Sequence, residues 1–268
     1  MPARDCGAPR VARRPRSSRL LLLLAGVGLL AGCAIAIPPP RQTVSQEARR
    51  AVDLLTTRWE AVSDLRALAD IVVERGGQKQ QLSGVLLAKA PSSVRFEALS
   101  PFGQPFLLAV VHGGQLTAYN ALTREAVVGE ANAETTAKLL NLPFEAEDMV
   151  AVATGHAVPP RGLRVAEILP ADADGPSISL IGDVHEKRVW MDFQTGLVRR
   201  LEIIGGRVAA TVTYLRDADG NLTGFDASAV NRYVVATVRY RNAATGVGLT
   251  PDRFALTLPK DAKTQPIR

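Results

Sequence analysis

The 268-residue sequence predicts a mainly β fold with a few α-helices: about eleven antiparallel strands in one strongly curled sheet, with three helices plugging its open side. Three observations carry this. Runs of alternating apolar and polar residues dominate from residue 64 onward. The linkers between them are short and rich in glycine, aspartate and asparagine, which favours antiparallel neighbours. Eleven strands are also many for a flat open sheet, so curling is expected.

In chain order, the first feature is not part of that sheet. Residues 1–19 carry six arginines and only one acid, Asp5, and are followed by the uncharged run "LLLLLAGVGLL" over Leu20–Leu30. That run falls short of the roughly 20 residues a membrane-spanning helix needs, and with its basic head it reads as a secretory signal. It ends in Leu30-Ala31-Gly32-Cys33, which resembles the lipobox of bacterial lipoproteins; the resemblance implies that residues 1–32 are a signal peptide and that the Cys33 thiol is acylated. The stretch "AIAIPPPRQT" after it contains Pro38, Pro39 and Pro40, which favour an extended form, so residues 33–44 are expected to be a lipidated tether.

Cleavage changes the charge argument. The chain has 32 basic and 26 acidic side chains; without residues 1–32 it has 26 and 25, a net charge of +1. The basic pI therefore belongs to the export signal, and a general attraction to nucleic acid has no support. Cys6 and Cys33 are the two cysteines, so the body has no thiol, disulfide or cysteine metal site. It is long enough to bury a core without staples.

Residues 45–260 are expected to be one folded domain. Ser45 is placed to cap a helix over "QEARRAVDLLTTRWEAV", with Val52, Leu55, Trp59 and Val62 on one face. Strands follow in "LRALADIVVE", "KQQLSGVLLAKA", "SSVRFEAL", "FLLAVVH" and "QLTAYN", with Gly76-Gly77 and Gly113-Gly114 suited to tight hairpin turns. The pattern breaks near residue 132. "NAETTAKLLNLPF" predicts a short helix capped by Asn132 and stopped before Pro143; "EAEDMVAVATG" predicts another, acidic at its start and ending at Gly155. Strand patterns resume in "GLRVAEIL", "SISLIGDV", "KRVWMDF", "LVRRLEII", "RVAATVTYL", "NLTGFDASAV", "RYVVATVRY" and "RFALTL". Residues 261–268 are expected to be a frayed C-terminal tail.

No motif points to catalysis. His112, His156 and His185 sit in loops, outside any His-Glu-x-x-His arrangement. A nucleophile elbow, a P-loop and a dinucleotide fingerprint are absent. "DADGN" at 217–221 opens like a calcium loop but lacks the remaining ligands, and it joins two strands as a hairpin turn would. No enzyme activity, metal or cofactor is expected.

One turn is unusual. Ser100-Pro101-Phe102-Gly103-Gln104-Pro105 places an aromatic ring between Pro101, which sets the start of a turn, and Gly103, which relieves its end. Phe102 can plug the core, or it can enter another phase from a stiffened loop, where burial is worth roughly 1.5–3 kcal/mol. The run "RFEALSPFGQPFLLAVVHGGQLTAYN…NLPFEAEDMVAVATGH" resembles the middle of LolB, the outer-membrane receptor of the bacterial lipoprotein-localisation pathway. Ser100-Pro101-Phe102-Gly103 matches that family's Asn-Pro-Leu-Gly turn, Leu140-Asn141-Leu142-Pro143 its bend between two helices, and Gly155 the second helix's end. Phenylalanine stands where the family has leucine, and the second half is longer.

The resemblance implies an open, strongly curved antiparallel half-barrel of about eleven strands with a helical lid. It implies a lipid-anchored outer-membrane protein facing the periplasm, monomeric, that receives the acyl chains of lipoprotein cargo from a LolA-type carrier. The Pro101-Phe102-Gly103 loop would then engage outer-membrane lipids. Ala34 after the cysteine, rather than aspartate, fits outer-membrane delivery. Val94, Phe96, Val212, Tyr214, Val238 and Tyr240 are candidates to line the cavity. Alternation shows which of them share a face but not which face is concave, so core under the helices is the alternative for each. The alternative function is a structural or assembly lipoprotein of the same fold that binds a protein partner or another lipid.

Overall fold

The structure, a computed structural model, describes residues 44–205, 208–229 and 233–267; Cys33, the signal and most of the tether lie outside them. The first helix, α1 (Gln46–Glu60), starts where Ser45 accepts the Ala48 N–H at 3.1 Å. Its buried stripe is Ala48, Ala51 and Leu55, with Val52 and Trp59 only partly buried beside it. Alanines lead this stripe because small side chains let a helix backbone sit close on a sheet.

Six strands follow: β1 (Asp64–Arg75), β2 (Gln78–Lys89), β3 (Ser93–Leu99), β4 (Pro105–His112), β5 (Gln115–Asn120) and β6 (Glu125–Glu130). Two helices, α2 (Ala133–Leu140) and α3 (Ala146–Thr154), interrupt the sheet. Seven more strands come next: β7 (Val165–Asp172), β8 (Gly175–Ile181), β9 (Glu186–Met191), β10 (Val198–Gly205), β11 (Val208–Arg216), β12 (Leu222–Ala229) and β13 (Val234–Thr245). A 3-10 turn, Pro251–Phe254, precedes β14 (Lys263–Pro266).

The fourteen strands of the described residues form one open, curved sheet in the order β14-β6-β5-β4-β3-β2-β1-β13-β12-β11-β10-β9-β8-β7. The long central pair β1–β13 joins its two halves. The connection from β6 to β7 runs from near one edge to the other through α2 and α3, so the two helices cross the concave face as a lid. Curvature is built in at Gly84 and Gly224. A Cβ at Gly84 would lie 2.0 Å from the Glu97 carbonyl oxygen, and one at Gly224, where φ is +149°, 2.1 Å from that of Val238. Only glycine permits such close approach of neighbouring strands.

The sheet exceeds the expected eleven strands. "EAVVGE" is strand β6, too short and too polar at its ends to announce itself. "RFALTL" is not a strand: it opens in the 3-10 turn and continues unpaired. The C-terminal tail is not frayed. Lys263–Pro266 pairs with β6, the single parallel pair of the sheet, and Ile267 packs against the cluster of Val111, Leu116 and Ala131. Nothing in "KTQP" alternates; an open β6 edge and one anchoring isoleucine decide it.

The largest core lies between α1 and the β8–β12 half, around Leu55, Ile178, Leu201 and Val212. A second lies under α3 against β1, β2 and β13.

Candidate acyl-binding cavity

The lid is held at both ends of α3. Asp148, in its first turn, is fully buried and pairs with buried Lys187 of β9 at 2.5 Å. The same ammonium donates to the Val158 carbonyl at 3.1 Å, and the second Asp148 oxygen accepts the Glu145 N–H at 3.2 Å. At the other end the carbonyls left over by the last turn find donors on the sheet. Tyr240 Oη donates to the Ala153 carbonyl at 2.7 Å, Tyr214 Oη to that of His156 at 2.5 Å, and an Arg216 Nη to that of Gly155 at 2.9 Å. Burial raises both phenol pKa values above the ordinary 10, so the hydroxyls keep their protons. Between the helices Asn141 ends α2 with left-handed φ of 58°. Thr136 Oγ1 both donates to the Phe144 carbonyl and accepts the Phe144 N–H, pinning the bend.

Under this lid is a cavity of about 530 Å³. Ile71, Val73, Leu86, Val94, Phe96, Phe225 and Val238 form its sheet side, and Leu139, Leu142, Phe144 and Met149 its lid side. Among the described residues its polar lining comes from one place, the β1–β2 hairpin, where Arg75, Gln78, Lys79 and Gln80 are exposed. The cavity therefore reaches solvent between that hairpin and exposed Leu140 at the end of α2.

Of the six candidate lining residues, Val94, Phe96 and Val238 are on the cavity wall. Val212 and Tyr214 are not: they sit in the larger core, because that part of the concave face is covered by packed helix and loop. Tyr240 stands behind the wall, its ring edge-on to Phe225 at 6.4 Å, with its hydroxyl committed to α3. The lid residues and the hairpin rim were not among the candidates, since helix periodicity does not say what lies beneath a helix. Ile71 and Val73 carried a usable signal, their place in the series Leu65, Ala67, Ala69, Ile71, Val73 on one face of β1.

The turn at Phe102 closes through the Gly103 N–H on the Ser100 carbonyl and the Ser100 N–H on the Gln104 carbonyl, both 2.8 Å. Gly103 has φ of 76°. The Phe102 ring is 92% exposed. Strand polarity puts this β3–β4 turn at the same end of the sheet as the β1–β2 hairpin, and so at the end where the cavity opens. Exposed Leu122, in the β5–β6 turn, and Val184, between β8 and β9, are at that end too.

The histidines stand apart from the cavity. His112 Nδ1 meets Ser93 Oγ at 2.9 Å, and its ring stacks on Phe254. His185 is buried in a small pocket beside Pro160 and Lys187. His156 is pushed down to about 4, chiefly because burial disfavours the imidazolium, with Arg216 and Arg58 adding to it against a hydrogen bond at Thr154. Among the described residues no cluster of His, Cys, Asp and Glu could hold a metal ion, and no helix is long and apolar enough to cross a membrane.

No family model matches the chain, and no curated protein matches it in sequence. Solved structures do match in fold. A domain from Vibrio parahaemolyticus named for outer-membrane lipoprotein sorting superposes with a TM-score of 0.53 at 11% identity, covering 77% of this chain and 97% of that one. A LolA-superfamily protein from Nitrosomonas europaea gives 0.53 at 11%, covering 78% and 97%. A DUF1329-family protein from Desulfovibrio piger gives 0.53 at 14%, covering 78% and 95%. The likeness is one of fold, shared over more than three quarters of this chain with each of the three structures.

Proposed function

We propose that this chain is an outer-membrane lipoprotein, anchored through Cys33 and facing the periplasm, whose cavity accepts an acyl chain of lipoprotein cargo from a LolA-type carrier and passes it to the membrane through the Pro101-Phe102-Gly103 loop. The observation that carries this is one apolar cavity opening at the end of the sheet where Phe102 is displayed. No covalent chemistry is needed. Each methylene kept out of water is worth about 0.8 kcal/mol, and carrier, cavity and bilayer all supply that burial, so the chain can pass between them without exposure to water.

The cavity's size limits what it encloses. At roughly 30 Å³ per methylene, about a water molecule's share of liquid volume, about 530 Å³ holds on the order of one long acyl chain. A cargo bearing several chains is therefore gripped by one of them, with the others against the exposed apolar end of the sheet.

The test is a photo-crosslinking residue at Phe96 in the full chain in its own membrane, with mass spectrometry of the adducts and of co-purified lipid. Acylated peptide from other lipoproteins on Phe96 is the expected result. Adducts to a protein surface, with no acyl species, would replace this reading with that of an assembly lipoprotein.

A further inference from the structure

The wall of the cavity is apolar, but its mouth is chemically asymmetric, and strand register explains how. Along β1, Ile71, Val73 and Arg75 face the cavity. Across the ladder Val73 is opposite Gln80 and Arg75 opposite Gln78, so both carboxamides share Arg75's face. The intervening pair, Glu74 opposite Lys79, alternates out of phase with them: Glu74 stays off the cavity lining, while the Lys79 side chain reaches the mouth with its charge answered by Glu74 at 3.4 Å. The acid of the hairpin is thus turned away and satisfied, while the arginine is turned inward. Among the described residues neither aspartate nor glutamate contributes to the cavity lining, and no ion pair engages Arg75. Its guanidinium instead lies over the Tyr233 ring, 5.9 Å from the centroid, a contact that orients the fork while leaving its edge for an acceptor.

From this we infer that Arg75, with Gln78 and Gln80, is a head-group site, and that beside lipoprotein cargo the cavity takes acyl amphiphiles with an anionic head, a phosphate or a carboxylate. The inference rests on the reading of the cavity as an acyl site and adds the class of ligand. The tail enters between sheet and lid, where nothing polar opposes it. The head stops at the hairpin, where a planar guanidinium can grip two oxygens at once and the amides add single donors. A neutral head of the same chain length gains only the tail's burial, and a cationic head meets Arg75 as a like charge.

The experiment uses the full chain in phosphatidylcholine vesicles and photoactivatable hexadecyl probes differing only in the head: hexadecyl phosphate, palmitate, hexadecanol and hexadecyltrimethylammonium. Labelling is counted by mass spectrometry on the peptides bearing Phe96 and Val238, at equal probe content in the membrane. The anionic probes are expected to label the wall about tenfold more than the alcohol, the scale of a charge-assisted hydrogen bond. Arg75→Gln should lower them to the alcohol's level without changing labelling by the alcohol, and Arg75→Lys should keep part of the preference. A lead of hexadecyl phosphate over palmitate identifies a phospholipid-type head, and the reverse a fatty acid. Equal labelling by charged and neutral probes, or a preference that survives Arg75→Gln, overturns the head-group site and leaves the acyl cavity standing. No labelling by any probe overturns both.

Discussion

Phe102 shows how much a single side chain can reveal when its surroundings are stiff. Pro101, the positive φ of Gly103 and two short backbone hydrogen bonds hold the turn. The ring has given up no contact with the core to be displayed, being 92% exposed. Phe102→Glu should therefore leave stability within about 0.5 kcal/mol of the parent, as for other exposed positions. It should weaken binding of the loop to vesicles by at least about tenfold, given the roughly 1.5–3 kcal/mol that a buried phenylalanine contributes. Urea melts and vesicle co-sedimentation check the two halves, with Phe102→Leu as the variant that retains binding. Unchanged co-sedimentation of Phe102→Glu would remove the loop from the mechanism. The proline, phenylalanine and glycine were readable in order; that the ring points outward was not, because turn chemistry fixes a backbone and leaves the side chain's neighbours open.

Among the elements, α3 is the one whose attachment decides whether a cavity exists. Its sequence announces a helix, with acids in the first turn and Gly155 at its end. What the sequence does not announce is that Asp148 must find Lys187, a partner 39 residues on. Such a pair contributes little beyond an apolar replacement, but breaking it is costly because a charge stays buried alone. Lys187→Met should cost about 3–5 kcal/mol in urea unfolding, and adding Asp148→Asn should recover a large part of it. Equal losses in the single and double variants would show that the ion pair is not what holds the lid. The tyrosines belong to the same attachment. Tyr214 and Tyr240 alternate as lining residues would, yet their hydroxyls bond to the chain at and beyond the C-terminal end of α3. A strand's period identifies the inward face; whether that face meets a hollow or a helix depends on elements remote in sequence.

At the scale of the molecule, His156 and Asp64 are two of the groups that shape the response to acid. His156 is held neutral, at about 4 against an ordinary 6.5. Between those values the unfolded chain binds a proton that the folded chain refuses, so stability falls as pH drops through this window, by on the order of 3 kcal/mol in all. Asp64 is lowered in the fold: burial raises it, but backbone N–H groups of Leu249, Val247 and Gly248 outweigh that, at 2.8–3.0 Å. Its contribution is present above its ordinary 3.8 and is lost as pH falls below it. Thermal melts across pH 3–8 should show a loss beginning near 6.5, flattened in His156→Asn, followed by a second below 4. A His156→Asn profile that matches the parent would mean that the imidazole is not the group responsible.

The sequence by itself determined the class of fold, the three helices with their caps, most of the strands, the hairpin glycines and the unusual turn at Phe102, because each is specified by residues within one helical turn or one hairpin of one another. The tertiary structure alone decided which stretch of concave face is hollow, that Arg75 rather than Glu74 faces it, that Val212 and Tyr214 are core, and that the tail completes the sheet beside β6. Those outcomes depend on register and on packing between segments far apart in the chain, and the hydrophobic effect that drives them has no direction of its own. It rewards burial wherever geometry permits, and geometry is the property of the whole sheet.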